Sequence, residues 1–256
     1  MLNDDLRGTI KWCCRNSLLI NPDKTKLLVI GVLQLTKTLS PLSVTLMGKI
    51  IEPVTTAKDL GVYIDNSLNY HDHINKISSS SIYELIMINR IKYLLDKETI
   101  PLLMHSFVFN KLLYCSLVWS STSNKNIKKL QFLQNFAARI VLGLKKYDHI
   151  SEGLRSLGWL DINHKLKFNA CVMMCKCLNE GASTYLSQKF KKPSQIHSRT
   201  TRNCNNLALI KCRLATDKRS FSFRGAKAWN KVPKSIRDAT SLNDFKRNLM
   251  KLFKET

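Results

Sequence analysis

The sequence predicts an α+β fold, mostly α, built from three consecutive pieces. β-type runs are confined to the first 65 residues, at 24–32, 43–54 and 59–65. From Ser67 onward the apolar period is helical. The last quarter is the most cationic: residues 191–256 hold 17 basic and 4 acidic side chains, against 24 and 14 in residues 1–190.

Residues 3–19 read as a helix. Asn3 is placed to cap it, Asp4 and Asp5 suit the positive end of its dipole, and Leu6, Ile10, Cys13 and Cys14 recur at helical spacing. Asn21-Pro22-Asp23 is a turn. KTKLLVIGV (24–32) is a strand-type run, followed by a loop that ends at Ser40-Pro41. SVTLMGKIIEPV (43–54) reads as a hairpin turning at Met47-Gly48-Lys49, and DLGVYID (59–65) as one short strand.

The helical part opens with an apolar stripe: Ile74, Ile77, Ser81, Ile82, Leu85, Ile88, Ile91 and Leu95. Thr99-Ile100-Pro101 starts a second helix, with proline near its first turn. Asn124 is the expected cap of a third, whose stripe is Ile127, Leu130, Leu133, Phe136, Ala137 and Ile140 and whose end is Gly143. Shorter helices follow around 150–157 and 162–178, and Gly181 closes that block. Residues 191–206 read as a linker or exposed loop. RSFSFRGAKAWNKVPKSIR (219–237) holds an aromatic cluster, and SLNDFKRNLMKLFK (241–254) is an amphipathic helix with Ser241 as its cap.

The net charge of +23, from 41 basic and 18 acidic residues, suits a polyanionic partner, nucleic acid before an acidic membrane surface. Residues 100–119 are apolar enough and long enough to test for a membrane span. Lys111 at their centre, with Asn110 and His105 nearby, argues for a buried helix in a protein core instead. The eight cysteines do not form a disulfide framework, and no signal peptide opens the chain, so a reducing interior (cytoplasm or nucleus) is expected. Cys171-x3-Cys175-x-Cys177 lacks zinc spacing and reads as core. No Ser-His-Asp or Cys-His pattern stands out, and no metal and no small-molecule substrate is expected for this chain.

Several segments together resemble a family. WCCRNSLLINPDKTKLLVIG (12–31) resembles the stretch after the catalytic strand of non-LTR (LINE-type, jockey-like) retrotransposon reverse transcriptases. DLGVYID (59–65) is similar to their primer-grip strand, with its LGV core. YHDHINKI (70–77), LLYCSLVW (112–119), LQFLQNFAARIVLG (130–143), LGWLDINHKLKF (157–168), FRGAKAWNKVPKSIR (223–237) and SLNDFKRNLMKLF (241–253) follow in the family's order. Each alone is weak; together they cover nearly the whole chain.

The resemblance implies the carboxy-terminal portion of an RNA-directed DNA polymerase. It implies a partial palm sheet in residues 1–66, a helical thumb-like array in 67–181, and a basic linker with a small C-terminal module in 182–256. Family polymerases bind two magnesium ions through three aspartates, two of them in an aromatic-Ala-Asp-Asp turn upstream of the motif at Trp12. This chain is expected to begin after that turn and to be inactive alone. Asp4-Asp5 is no substitute, because no aromatic-Ala pair precedes it and the helical pattern through Trp12 places it at a helix start.

By the same resemblance, Lys24 is a general-acid position that protonates the departing pyrophosphate. A solvated lysine at a strand start is the alternative. Leu60, Gly61 and Val62 are primer-grip-like, with the glycine admitting a close backbone. Lys76, Arg90, Lys92, Lys125, Lys128, Lys129 and Arg139 are expected to hold template or primer phosphates without reading sequence. In the tail, Arg219, Arg224 and Lys227 join them. There Phe221, Phe223 and Trp229 either stack bases or form a mini-core against 241–254, and their spacing favours the mini-core. The expected partners are an RNA or DNA backbone and an upstream palm segment. The rival is a domesticated helical interaction protein without nucleic-acid binding. Residues 1–65, lacking palm strands to pair with, are expected to expose strand edges and apolar faces.

Overall fold

The computed structural model describes residues 2–31, 43–179, 181–196 and 206–255. The chain forms two compact units, residues 1–75 and 76–256.

The first unit opens with α1 (Leu2–Arg15). It is shorter than the 3–19 helix the sequence suggested. The Asn16 side chain donates to the Trp12 carbonyl at 2.8 Å and Ser17 turns left-handed (φ 56), so the chain leaves the helix before Leu18. Six short strands follow as three separate pairs among the described residues. β1 (Leu27–Leu28) runs parallel to β4 (Pro53–Val54). β2 (Val44–Leu46) is antiparallel to β3 (Lys49–Ile51), and β5 (Thr56–Asp59) to β6 (Val62–Asp65). The run at 24–32 therefore contributes two strand residues, and the loop expected over 33–42 lies outside the described residues.

Both hairpins turn on two left-handed residues, Met47 (φ 49) with Gly48 (φ 81) and Leu60 (φ 42) with Gly61 (φ 88). This is the backbone that matches the twist of the flanking strands. The second hairpin corrects the reading of 59–65 as one strand. Asp59 pairs with Val62, so Asp59 closes β5, Leu60-Gly61 is the turn, and the strand resumes at Val62. Val44, Leu46, Ile51, Val62, Tyr70 and Ile74 are the buried apolar residues of this unit, while Trp12, Leu19 and Ile50 stay exposed.

Asp65 organises the passage from β6 to α2 (His71–Ile91). Its carboxylate accepts from the Ser67 and Asn69 amides, both at 3.0 Å, from the Ser67 hydroxyl and from the Tyr70 amide. These bonds hold Leu68 (φ 54) and Tyr70 (φ 58) in left-handed backbone.

α2 begins in the first unit and its remaining turns belong to the second. The buried face of those turns is Ser78, Ser81, Leu85 and Ile88. Ile82 and Ile91, expected in the stripe, lie more than a third exposed, at 38% and 41%. Next come α3 (Thr99–Leu103), a π-helical segment (Met104–Phe109) and α4 (Asn110–Leu113), joined end to end. Lys111 pairs with Glu84 of α2 at 2.7 Å and donates to Ser80 at 3.1 Å, which compensates the charge in this apolar stretch. Among the described residues, no helix is long and apolar enough to cross a membrane. α5 (Ser116–Trp119) follows a break at Cys115, whose φ is 47.

α6 (Asn124–Leu142) is capped by Ser123, not by Asn124. The Ser123 backbone is extended, as a cap requires, and its hydroxyl accepts from the Asn126 amide. Gly143 ends the helix in left-handed backbone (φ 68). Leu130, Leu133, Ala137 and Ile140 are buried as their spacing implied. Gln134 is buried among them because its amide donates to the Leu160 carbonyl at 2.8 Å. Gln131 accepts from the Ile162 amide at 2.8 Å, so α6 fixes the start of α8.

After α7 (Ser151–Ser156), α8 (Ile162–Leu178) starts from an Asp161 cap and is packed by neighbours on several sides. Phe168, Cys171, Met174, Cys175 and Cys177 are buried. Burial pushes all three thiols up, Cys171 to about 12. α9 (Thr184–Ser187) precedes a 3-10 turn at Pro193–Gln195; residues 197–205 of the expected linker lie outside the described residues.

The tail forms α10 (Ala215–Arg219), α11 (Phe221–Trp229), α12 (Lys234–Arg237) and α13 (Leu242–Glu255). Trp229 stacks on Phe245 at 5.5 Å and 28°, and both are buried, so the aromatic cluster is the mini-core. α11 lies so close to α8 that a Cβ on Gly225 would sit 2.7 Å from the Met174 sulfur. Asn230 pins the incoming chain: its side chain accepts from the Leu207 amide at 2.8 Å and donates to the Leu207 carbonyl at 2.9 Å.

Burial raises the Asp65 pKa, but the bonds from Asn69, Ser67 and Tyr70 outweigh it and leave the carboxyl below its usual range. A depressed folded value contributes stability above the unfolded pKa, lost as pH falls through the folded one. Asp65→Asn is expected to cost about 1 kcal/mol at neutral pH, a low figure because the carboxylate is partly solvated. The difference from wild type should vanish once acid passes below both values. Urea unfolding followed by circular dichroism across that pH range checks this.

Candidate nucleic-acid interface

The cations singled out from sequence fall into three settings. The first is open helix surface. Lys125, Lys128 and Lys129 are exposed on the first turns of α6, at the three- and four-residue spacing that keeps side chains on one face. Phe132, one turn further, is 66% exposed on the same side. On α2, Lys76 and Arg90 are exposed. They are 14 positions apart, close to four full turns, which returns them to one side about 21 Å along the axis. Lys227 is exposed on α11.

The second setting is half-buried. Lys92 lies over the Tyr93 ring at 5.1 Å. Arg139 donates to the Asp148 carbonyl at 3.2 Å, tying the end of α6 to the loop beyond it. Arg219 is half-buried at the end of α10.

Arg224 is the third setting. Its Nε donates to the Arg219 carbonyl at 2.7 Å, one terminal nitrogen to the Ser120 hydroxyl at 2.8 Å, and the other to the Leu117 carbonyl at 2.9 Å. The guanidinium fork thus closes the carboxyl end of α5 against α11. Its planar set of donors suits this role better than a point charge would.

In the first unit, Lys24 is exposed, and its amide is held by the Asn21 side chain in the turn that the sequence announced. Lys49 pairs with Asp23, and this neighbour holds the Asp23 carboxyl below its usual range. Leu60 and Gly61 are exposed at a hairpin tip and Val62 is buried beneath them, so the three do not present one surface. Asp4 and Asp5 sit on the first turn of α1, exposed, with Arg7 3.4 Å from Asp4. Among the described residues no three of His, Cys, Asp and Glu come together as a group that could hold a metal ion.

Several features escaped the sequence reading. Two adjoining clefts open beside α8 and α13, lined by Arg155, Lys167, Lys231 and Lys254, none of which the sequence singled out as a binding residue. A third cavity, of about 760 Å³, is walled by His105, Phe109, Trp159 and Lys165. Its three rings meet edge-on at 4.7–5.7 Å. Burial keeps the Lys165 ammonium below the usual lysine range, and burial followed by the nearby Lys165 does the same to His105. Charge at these positions was visible in the sequence; the convergence of α6, α8 and α13 was not.

Arg224→Met should lower stability by about 3 kcal/mol, from three lost bonds to half-buried groups at roughly 1 kcal/mol each. The salt dependence of nucleic-acid binding should not change. Urea midpoints and salt titrations of the purified variant measure the two effects separately.

No protein-family model and no solved structure matches the chain. A curated protein of Drosophila melanogaster, described as a probable RNA-directed DNA polymerase from transposon BS, is 29% identical over 154 residues. That stretch is 57% of this chain and 16% of the polymerase, so the chain spans about a sixth of the relative's length. The match bears out the resemblance to a retrotransposon reverse transcriptase that the motifs carry: a region of this chain is related in sequence to a transposon RNA-directed DNA polymerase.

Proposed function

We propose that this chain is a template- and primer-holding region of a transposon-type RNA-directed DNA polymerase, gripping the nucleic-acid backbone and leaving nucleotide addition to carboxylates elsewhere. The observation that supports it most is the similarity to the transposon polymerase. The exposed lysines of α6 give that similarity a physical means. Ammonium groups on one helix face meet phosphates without reading bases, and each contact releases counterions.

In this reading the strands of residues 1–66 are the part of a palm that follows its catalytic turn. The Leu60-Gly61 hairpin tip approaches the primer, and Lys24 stands toward the incoming nucleotide. The helices over 67–181 act as the thumb. The tail module, held by Trp229 on Phe245, adds cations through Lys227. Three two-stranded ladders are marginal by themselves, which suits a sheet that is completed by further palm strands. The two magnesium ions would sit on those strands.

A second reading, a helical interaction protein that has lost nucleic-acid binding, draws on the apolar side chains exposed along α2: Ile82, Tyr83, Ile86, Met87 and Ile91. The two readings differ in their response to salt.

The chain should bind an RNA–DNA hybrid with an affinity that falls steeply as salt rises. Lys125→Gln with Lys129→Gln should make the log–log slope shallower by about 1.8, two phosphate contacts at about 0.9 each. Filter binding between low and physiological salt measures it; no binding at low salt supports the interaction-protein reading. In primer extension, this chain alone with magnesium and nucleotides should yield no product. Metal-dependent extension that survives further purification would overturn the division of labour proposed.

A further inference from the structure

Beside α8, between α11 and α13, lies a cleft of about 450 Å³. Cys171, Ala228, Val232 and Leu252 give it an apolar lining, and Lys167, Lys227 and Lys231 stand around it. Arg224 also lines it, but its guanidinium is occupied by Leu117, Ser120 and Arg219. A second cleft, of about 640 Å³, adjoins the first, since His164 and Phe253 line both. Their rings lie 5.5 Å apart at 49° and form the ridge between the two. Beyond the ridge are Lys128, Arg155 and Lys254, with Trp159 in the wall.

The charge is one-sided. Among the described residues Asp161 is the single acid lining either cleft, and both its oxygens are engaged by His164, one with the amide at 2.7 Å and one with the ring at 2.9 Å. Lys167, Lys227 and Lys231 have no acidic partner among the described residues. Cations gathered around an apolar lining repel one another until a polyanion joins them. The shape narrows the choice further. Each volume falls in the range that takes a nucleotide-sized group. A duplex, with its bases stacked inside, presents only its backbone and leaves an apolar pocket unfilled. An unpaired strand offers both partners at once: phosphates for the lysines, base faces for the rings.

We propose that the paired clefts form a path for single-stranded RNA or DNA, with phosphates on Lys167, Lys227, Lys231, Arg155 and Lys254 and bases against Phe253 and Trp159. The path meets the lysine face of α6 at Lys128, which lines the second cleft, while Lys125 and Lys129 line neither cleft and Lys167 and Lys231 line the first. It deepens the polymerase reading and rests on it only for the class of partner.

The test uses the whole chain and two fluorescein-labelled probes, an oligouridylate of about 12 nucleotides and a hybrid hairpin with the same number of phosphates. Anisotropy is measured against salt. Lys167→Gln with Lys231→Gln alters two exposed side chains that take no part in the core. It should weaken single-strand binding about tenfold and make its salt slope shallower by about 1.4, two contacts at about 0.7 each. Hairpin binding should stay within about twofold. Phe253→Leu keeps an apolar side chain and removes the ring; it should weaken the single strand several-fold with the slope unchanged, while the melting midpoint reports folding. Equal loss on both probes, or no loss on either, overturns the proposal. If the single strand is indifferent to the lysine pair while the hairpin still depends on Lys125 and Lys129, this inference fails and the polymerase reading stands. If only the single strand binds, the duplex-holding reading fails and this one survives.

Discussion

Burial around α8 is the constraint on which the larger unit depends. A helix packed on several sides cannot keep a polar face along its middle turns, and α8 does not: Leu166, Phe168, Cys171, Met174, Cys175 and Cys177 look in different directions and are all buried. α11, α13, α6 and α5 take their positions from it. The charged residues of α8 are left toward its ends, with His164, Lys165 and Lys167 in the first turns and Lys176 in the last, while Asn169 at the middle donates to the Ser116 hydroxyl. The hydrophobic demand at the centre therefore decides where charge can appear, and the clefts open beside those turns.

A chain with so large a cationic excess must keep its like charges apart while it folds. Its 18 acidic side chains cannot pair all 41 cations. Glu84 meets Lys111 in an apolar stretch, the Asp161 carboxylate caps a helix start, and that of Asp244 accepts from the Ser241 hydroxyl and pairs with Arg247. Most lysines stay outside on helix faces, where water screens them. Arginines are used differently. Arg224 and Arg139 turn inward to backbone carbonyls, as the fork-shaped donor set allows. The same formal charge thus serves packing at these two arginines, while Arg90 and Arg155 stay on the surface with most of the lysines.

Sequence periodicity revealed the long helices well because one rule governs them. The α6 stripe and its Gly143 terminus followed from spacing and backbone freedom alone, and so did the Trp229 mini-core. What periodicity missed was set by choices between neighbours. Ser123 rather than Asn124 caps α6 because the extended backbone falls one residue earlier. Ser81 is buried as the stripe implied and Ser78 joins it on the inner face of α2, while Ile82 and Ile91 of the same stripe turn outward, a distinction that hydrophobicity cannot resolve. DLGVYID looked continuous because Leu60 is apolar, yet the glycine after it marks a hairpin tip. For the interface, the sequence showed which residues were basic. It did not show which guanidinium was already engaged, or that residues 155, 167, 231 and 254 would line adjoining clefts.

The π-helical segment explains an oddity of rhythm. Ile100, Met104, Val108 and Leu112 are all buried, each four residues after the last. In a regular α-helix every such step overshoots a full circle by about 40°, so the row would wind away from its neighbours. The wider turn over Met104–Phe109 holds the winding back, and the row stays in line. His105 and Phe109, also four apart, come to rest one above the other, each edge-on to Trp159. Tightening that coil into ordinary α-helix would swing the two rings out of step and break up the trio.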